Sequence, residues 1–128
     1  MPLLSRLFGP IRKTTLTMPY EFGDVVLVRF PFTNQAAFKQ RPAVVISNKA
    51  YNLAKPDVVI MAITSQLRSP SSHGDVLVGQ WQAANLLKPS MIKPVFATIE
   101  QSLILSSLGT LQPADQAALR QAIAAVLG

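Results

Sequence analysis

Arg41 directly precedes Pro42 and opens the apolar run Ala43-Val44-Val45-Ile46, while Thr64 and Ser65 close a second run, Val58 to Ile63. A guanidinium held at a rigid loop–strand junction presents a planar fork to phosphate oxygens and stabilises the charge that develops in phosphoryl transfer. A threonine hydroxyl at the end of a buried strand can donate to a second phosphate oxygen. Such groups suit metal-independent attack on a phosphodiester better than attack on a carbonyl centre. Each residue alone also has a plainer explanation: Arg41 as a solvated charge before a strand, Thr64 and Ser65 as an ordinary polar strand end.

The rest of the chemically capable set is thin. The absence of cysteine excludes a disulfide framework, a thiolate metal site and a cysteine nucleophile. The single histidine, His73, cannot form a two-histidine acid/base set or a histidine-based zinc site. It lies in the loop-like stretch Ser69-Pro70-Ser71-Ser72-His73-Gly74, where it reads as a solvent-facing side chain or, less simply, as an acid/base. The six acidic residues are scattered without a close carboxylate pair. Neither G-x-x-x-x-G-K-[ST] nor G-x-G-x-x-G occurs, so phosphate-loop and dinucleotide readings lack their signature. Arg29, Lys39, Lys88 and Lys93 are candidates for a basic rim, or else scattered surface cations. Among Phe30, Phe32, Phe38 and Trp81, the loop residue Phe38 is preferred for stacking on a base, because most aromatic side chains in a small domain are core.

The elements that must position these residues are mostly strands. Gly23 to Phe30 is rich in β-branched residues and stops at Pro31; a second strand starts near Pro42 and runs to Ser47, where Asn48 ends it. Tyr51-Asn52-Leu53-Ala54 is a short turn or helical piece closed by Lys55-Pro56. Val58 to Ile63 is an unbroken apolar run expected to be buried on both faces. Asp75 to Val78 forms a fourth strand, and Val95 to Ile99 a fifth whose start Pro94 marks. The chain closes on a helix with Pro113 at its first position, Asp115 in its first turn, and the stripe Leu119, Ile123, Val126, Leu127. The expected fold is mainly β: a small, strongly bent barrel of five to six strands with short helices and a C-terminal α-helix.

The chain has 128 residues, of which 49% are hydrophobic and 14% charged, which excludes a disordered chain and suits one tightly wrapped domain with an extra buried interface. The formal charge is +6, but Arg6, Arg12 and Lys13 precede Met18 with no acid among them, so half of that charge lies in a leader. Arg6, Gly9, Pro10 and Arg12 interrupt any signal-peptide core of roughly 7–15 apolar residues. Nothing approaches the roughly 20 apolar residues of a membrane helix. Residues 1–18 are read as a basic leader, disordered or untranslated, with Met18 an alternative start, and residues 19–128 as the domain. A reducing cytoplasm is the expected compartment for a cysteine-free chain.

The run Gly23-Asp24-Val25-Val26-Leu27-Val28, then Pro31-Phe32-Thr33, then Lys39-x-Arg41-Pro42-Ala43-Val44-Val45-Ile46-Ser47 resembles the opening of the MazF/PemK family. Asp57 to Ser65, Leu86-Leu87-Lys88-Pro89-Ser90, Thr98-Ile99-Glu100 and Leu108-Gly109-x-Leu111 resemble its later segments, so the likeness covers roughly residues 20–128. The resemblance implies an SH3-like barrel and a homodimer. It implies the toxin of a type II toxin–antitoxin pair, a ribosome-independent endoribonuclease that cleaves single-stranded mRNA without metal or cofactor. In the implied reaction the RNA 2′-hydroxyl attacks the adjacent phosphate, leaving a 2′,3′-cyclic phosphate and a 5′-hydroxyl. Arg41 takes the place of the family's acid/base and charge-stabilising arginine, and Thr64 that of the threonine which steadies the transition state. Candidate RNA contacts are Arg29, Phe38, Lys39, Ser65, Gln66, His73 and Lys93.

The chain also departs from that pattern. Where many relatives carry Gly-Ser-Glu-Gln ahead of the Arg-Pro, this chain has Asn34-Gln35-Ala36-Ala37, so Ala36 replaces the acid. No acid stands between Lys88 and Ile99 either, which leaves Lys93 or His73 as substitutes. The alternatives are an inhibitor of DNA gyrase on the same barrel, as in CcdB-type toxins, and a degenerate relative that binds RNA or antitoxin without cutting.

Overall fold

The computed structural model describes residues 19–29, 40–67 and 74–128. The basic leader therefore lies outside the described residues, as do most of the two loops flanking the Arg41 and Thr64 strands. Six strands form one antiparallel sheet: β1 (Asp24–Arg29), β2 (Gln40–Val45), β3 (Asp57–Thr64), β4 (Val76–Leu77), β5 (Met91–Glu100) and β6 (Ile104–Thr110). Their order across the sheet is β4-β5-β3-β2-β1-β6. Helix α1 (Lys49–Ala54) joins β2 to β3, a 3-10 turn (Gln101–Leu103) joins β5 to β6, and helix α2 (Pro113–Leu127) follows.

The central strands are apolar in continuous runs because both sheet faces are covered. One buried cluster takes Val25, Val44, Met61 and Ile63 from the sheet and closes them with Leu111, Leu119 of α2, and Val78, Ala84 and Leu86. The other takes Val26, Val28, Ala43, Val45, Val58, Ile60, Ala97 and Ile99, with Leu103 and Ile104 against them. That second set spans β5 to β6, so the sheet curls around it into a barrel-like shape. No pairing among the described residues joins β4 to β6, and the barrel stays open there.

Several boundaries differ from the sequence expectation. β2 begins at Gln40, so Arg41 and Pro42 lie within the strand. β4 is only two residues long. β5 does not start at Pro94 but runs through it: Phe96 pairs with Met61 and Ile92 with Ile63, which leaves Lys93, Pro94 and Val95 bulged opposite Ala62. A proline is tolerated there because a bulge needs no N–H from it. β6 was not assigned from sequence; its Ser106, Ser107 and Gly109 give little strand signal, and it is an edge strand bulged twice against β1. On α2, Leu119 is buried and Ile123 packs on the core, but Val126 and Leu127 are 40% and 65% exposed, so the expected apolar stripe runs off the core at its end.

Candidate active site

β2 and β3 pair antiparallel through Ala43↔Ala62, Val44↔Met61 and Val45↔Ile60. Continuing that register two residues beyond Ala43↔Ala62 sets Arg41 level with Thr64. Each is also fixed from its other side, Arg41 by Val28 on β1 and Thr64 by Met91 on β5. Two residues distant in sequence are thus held at one end of the two middle strands, each by pairing with its outer neighbour strand.

They line a common cavity of about 520 Å³. Leu27, Pro42 and Ile63 give it an apolar part; Gln40, Arg41, Thr64, Ser65 and Gln66 supply polar groups from the strand ends; Asn85, Leu86, Leu87, Lys88 and Ser90 come from the turn before β5, and Leu108 from β6. The Thr64 hydroxyl oxygen accepts the Gln66 N–H at 3.1 Å. That bond orients the hydroxyl and leaves its proton for a ligand. Arg41 is exposed at the mouth.

The turn that closes the cavity is anchored at several points. Asn85 has a positive φ of 62°, a left-handed conformation that asparagine tolerates better than most residues. Its side-chain amide donates to the Leu108 carbonyl at 2.7 Å. A Cβ on Gly109 would stand 2.7 Å from the Ala84 carbonyl oxygen, so only glycine lets the turn approach β6 this closely. The Leu86 N–H reaches the Trp81 carbonyl, Val78 N–H reaches the Ser90 carbonyl, and the Ser90 hydroxyl donates to the Lys88 carbonyl. Below the turn, the buried Asp115 carboxylate accepts the Gly79 and Gln80 N–H groups, each at 2.9 Å. Asp115 therefore does more than complement the N-terminus of α2; it ties that helix to the cavity wall.

The electrostatics are one-sided. Among the described residues the lining includes two cations, Arg41 and Lys88, and no carboxylate. All six acids are among the described residues, and none of them reaches the cavity. Asp24 accepts hydrogen bonds from Glu21 N–H and the Thr110 hydroxyl at the far end of β1, and Asp57 pairs with Glu100 across β3 and β5. The missing acid noted at Ala36 is not restored by another acid of the chain.

Of the sequence candidates, Arg41, Thr64, Ser65 and Gln66 converge on the cavity, and of the basic-rim candidates Lys88 does. Arg29 ends β1 as an exposed residue and does not line it, and Lys93 sits half-buried in the β5 bulge, also away from it. Phe38, Lys39 and His73 lie outside the described residues. Trp81, one of the aromatic residues considered for stacking, packs against the core. Gln40, Asn85, Leu87 and Ser90 were not singled out from sequence. The signal available for Leu87 and Ser90 is the family-like run Leu86-Leu87-Lys88-Pro89-Ser90, which by itself attaches no role to them; Asn85 has no such signal.

Residues 21–127 match the family model described as PemK-like, MazF-like toxin of type II toxin–antitoxin system. Among solved structures, the chain is similar to an endoribonuclease in complex with its cognate antitoxin from a Mycobacterial species, with TM-score 0.70 and 22% identity over 85% of this chain and 95% of that one. A MazE–MazF structure from Deinococcus radiodurans gives TM-score 0.69 and 21% identity over 88% and 98% of the two chains. The Mycobacterium tuberculosis toxin MazF-mt6 gives TM-score 0.65 and 20% identity over 78% and 91%. At such identities the likeness establishes a shared fold. No curated protein matches the chain.

Proposed function

Because the chain belongs to the PemK-like, MazF-like toxins of type II toxin–antitoxin systems, we propose that the Arg41–Thr64 cavity is an endoribonuclease site acting on single-stranded mRNA. The observation that carries this reading is the meeting of Arg41 and Thr64, 23 positions apart in sequence, in one cavity without a carboxylate. A cavity of this size accommodates a nucleotide-sized group.

In the proposed reaction the 2′-oxygen attacks phosphorus and the P–O5′ bond breaks, its electron pair leaving with O5′. The 2′-hydroxyl proton passes to solvent water and O5′ takes a proton from water, giving a 2′,3′-cyclic phosphate and a 5′-hydroxyl. Negative charge builds on the non-bridging oxygens as the fifth bond to phosphorus forms. Arg41 supplies fixed positive charge and a bidentate donor there, and the Thr64 hydroxyl donates to a further oxygen. A guanidinium stays protonated at ordinary pH, so its first contribution is charge stabilisation. Among the described residues the lining offers no carboxylate, imidazole or thiolate for a metal, and the proposed step uses none. The active form is a homodimer acting in the cytoplasm and silenced by a cognate antitoxin; among the described residues no helix is long and apolar enough to cross a membrane.

Purified protein is expected to cut single-stranded RNA in EDTA and to leave cyclic-phosphate ends, while Arg41→Ala lowers the rate by about 10²-fold or more. Equal cutting by Arg41→Ala removes that residue from the mechanism. Growth arrest with intact RNA and gyrase-dependent DNA breaks would replace the nuclease reading with gyrase inhibition.

A further inference from the structure

Arg41 accounts for one of the two cations that the described residues bring to the cavity lining; the other, Lys88, has no part in the chemistry described above. It stands on a turn with unusually firm support for a surface segment. Its own carbonyl accepts the Ser90 hydroxyl at 2.8 Å, Ser90 is 4% exposed, and the Asn85 amide and Gly109 hold the near end of the turn against β6. Its neighbour Leu87 is 93% exposed, so the turn projects its tip into solvent rather than burying it. A cation on a rigid base beside this cavity meets no carboxylate in the lining to neutralise it.

We propose that Lys88 binds the phosphate next to the scissile one and so sets the path of the RNA strand past Arg41 and Thr64. This rests on the endoribonuclease reading of the same cavity. The two cations divide the work by their chemistry. The planar guanidinium suits the reacting phosphate, where geometry changes during the step; a flexible ammonium suits a phosphate that need only be held. Lys88 is therefore a positioning residue. It matters more here than in a strongly basic protein, because the chain from Met18 onward carries only half of the +6 formal charge and few phosphate contacts are available to share the load.

The test measures binding and cutting by the full-length protein and its Lys88→Gln and Lys88→Arg variants. Binding uses an RNA oligonucleotide with a 2′-deoxy sugar at the mapped cleavage position, so that it binds without being cut. Lys88→Gln is expected to raise Kd roughly tenfold at low salt. It should also make the plot of log K against log salt shallower by about 0.7, the contribution of one phosphate contact on a single strand. The loss in cutting should fall on KM rather than kcat, and Lys88→Arg should restore both affinity and slope. Wild-type affinity and slope in Lys88→Gln, or a loss that Lys88→Arg does not repair, overturns the assignment of Lys88 alone. Wild-type protein that neither binds nor cuts RNA overturns the endoribonuclease reading and this one with it.

Discussion

At Thr64 the hydroxyl has one role settled by the fold and one left for the substrate: its oxygen accepts the Gln66 N–H, which leaves its proton to donate. Thr64→Val keeps the shape and removes both, so kcat for RNA cleavage is expected to fall about 10²-fold with the fold intact, and Thr64→Ser to keep most of it. Rapid-quench cleavage with a parallel thermal melt separates the two effects. Tyr20 gives a second residue-scale expectation. Burial raises its phenol above the ordinary value of 10.0, the Asp24 charge adds to that, and a hydrogen bond from Ser107 opposes it. A pKa raised on folding means that the Tyr20 contribution is whole below about pH 10 and is lost as pH rises through the folded value. Urea melts between pH 8 and 11 should therefore fall more steeply for the wild type than for Tyr20→Phe. Arg41 and Thr64 were legible in the sequence because local punctuation marks them: a proline after one, the end of an apolar run before the other. Asn85 was not legible in that way. Its left-handed backbone and its amide bond to Leu108 exist only once β6 has arrived 23 residues later.

At the scale of elements, the cavity wall depends on contacts made by β6 and α2. Gly109→Ala would drive a Cβ to 2.7 Å from the Ala84 carbonyl, a backbone atom that cannot swing aside. A loss of about 1–3 kcal/mol is expected, with RNA cleavage reduced further than the loss of folded protein explains. Asp115→Ala strands two N–H groups, Gly79 and Gln80, and removes a buried carboxylate. Its cost is expected at about 2–4 kcal/mol by chemical denaturation. The strands that could be read from sequence, β1, the later part of β2, and β3, are the ones buried on both faces, whose composition is set by the core. The start of β5 and the whole of β6 are less legible, because bulges and an edge position allow Pro94, Ser106 and Gly109 inside a strand. Pairing partners set their limits, and pairing partners are not local.

Across the whole molecule, charge is sparse and sorted by sign: among the described residues two cations line the cavity, and all six acids stand elsewhere. An acidic antitoxin segment lying over the cavity is expected to bind more weakly as salt rises and to block cutting while bound; titration calorimetry from 50 mM to 500 mM salt measures the first, and a salt-insensitive complex would remove charge from the account. The family-wide barrel was readable from the order of short apolar runs, whereas the opening between β4 and β6 depends on how far the sheet curls, which no run of residues encodes. The anchoring of the Asn85–Ser90 turn also has a consequence in time. Protein synthesis delivers the turn before its anchors on β6 and α2, because Leu108, Gly109 and Asp115 leave the ribosome later. A nascent chain halted before Leu108 holds Arg41 and Thr64 but no finished wall beside them. The hazardous activity of the protein is thereby tied to near-complete translation, and arrested chains of that length should be readily cut by protease within residues 79–90.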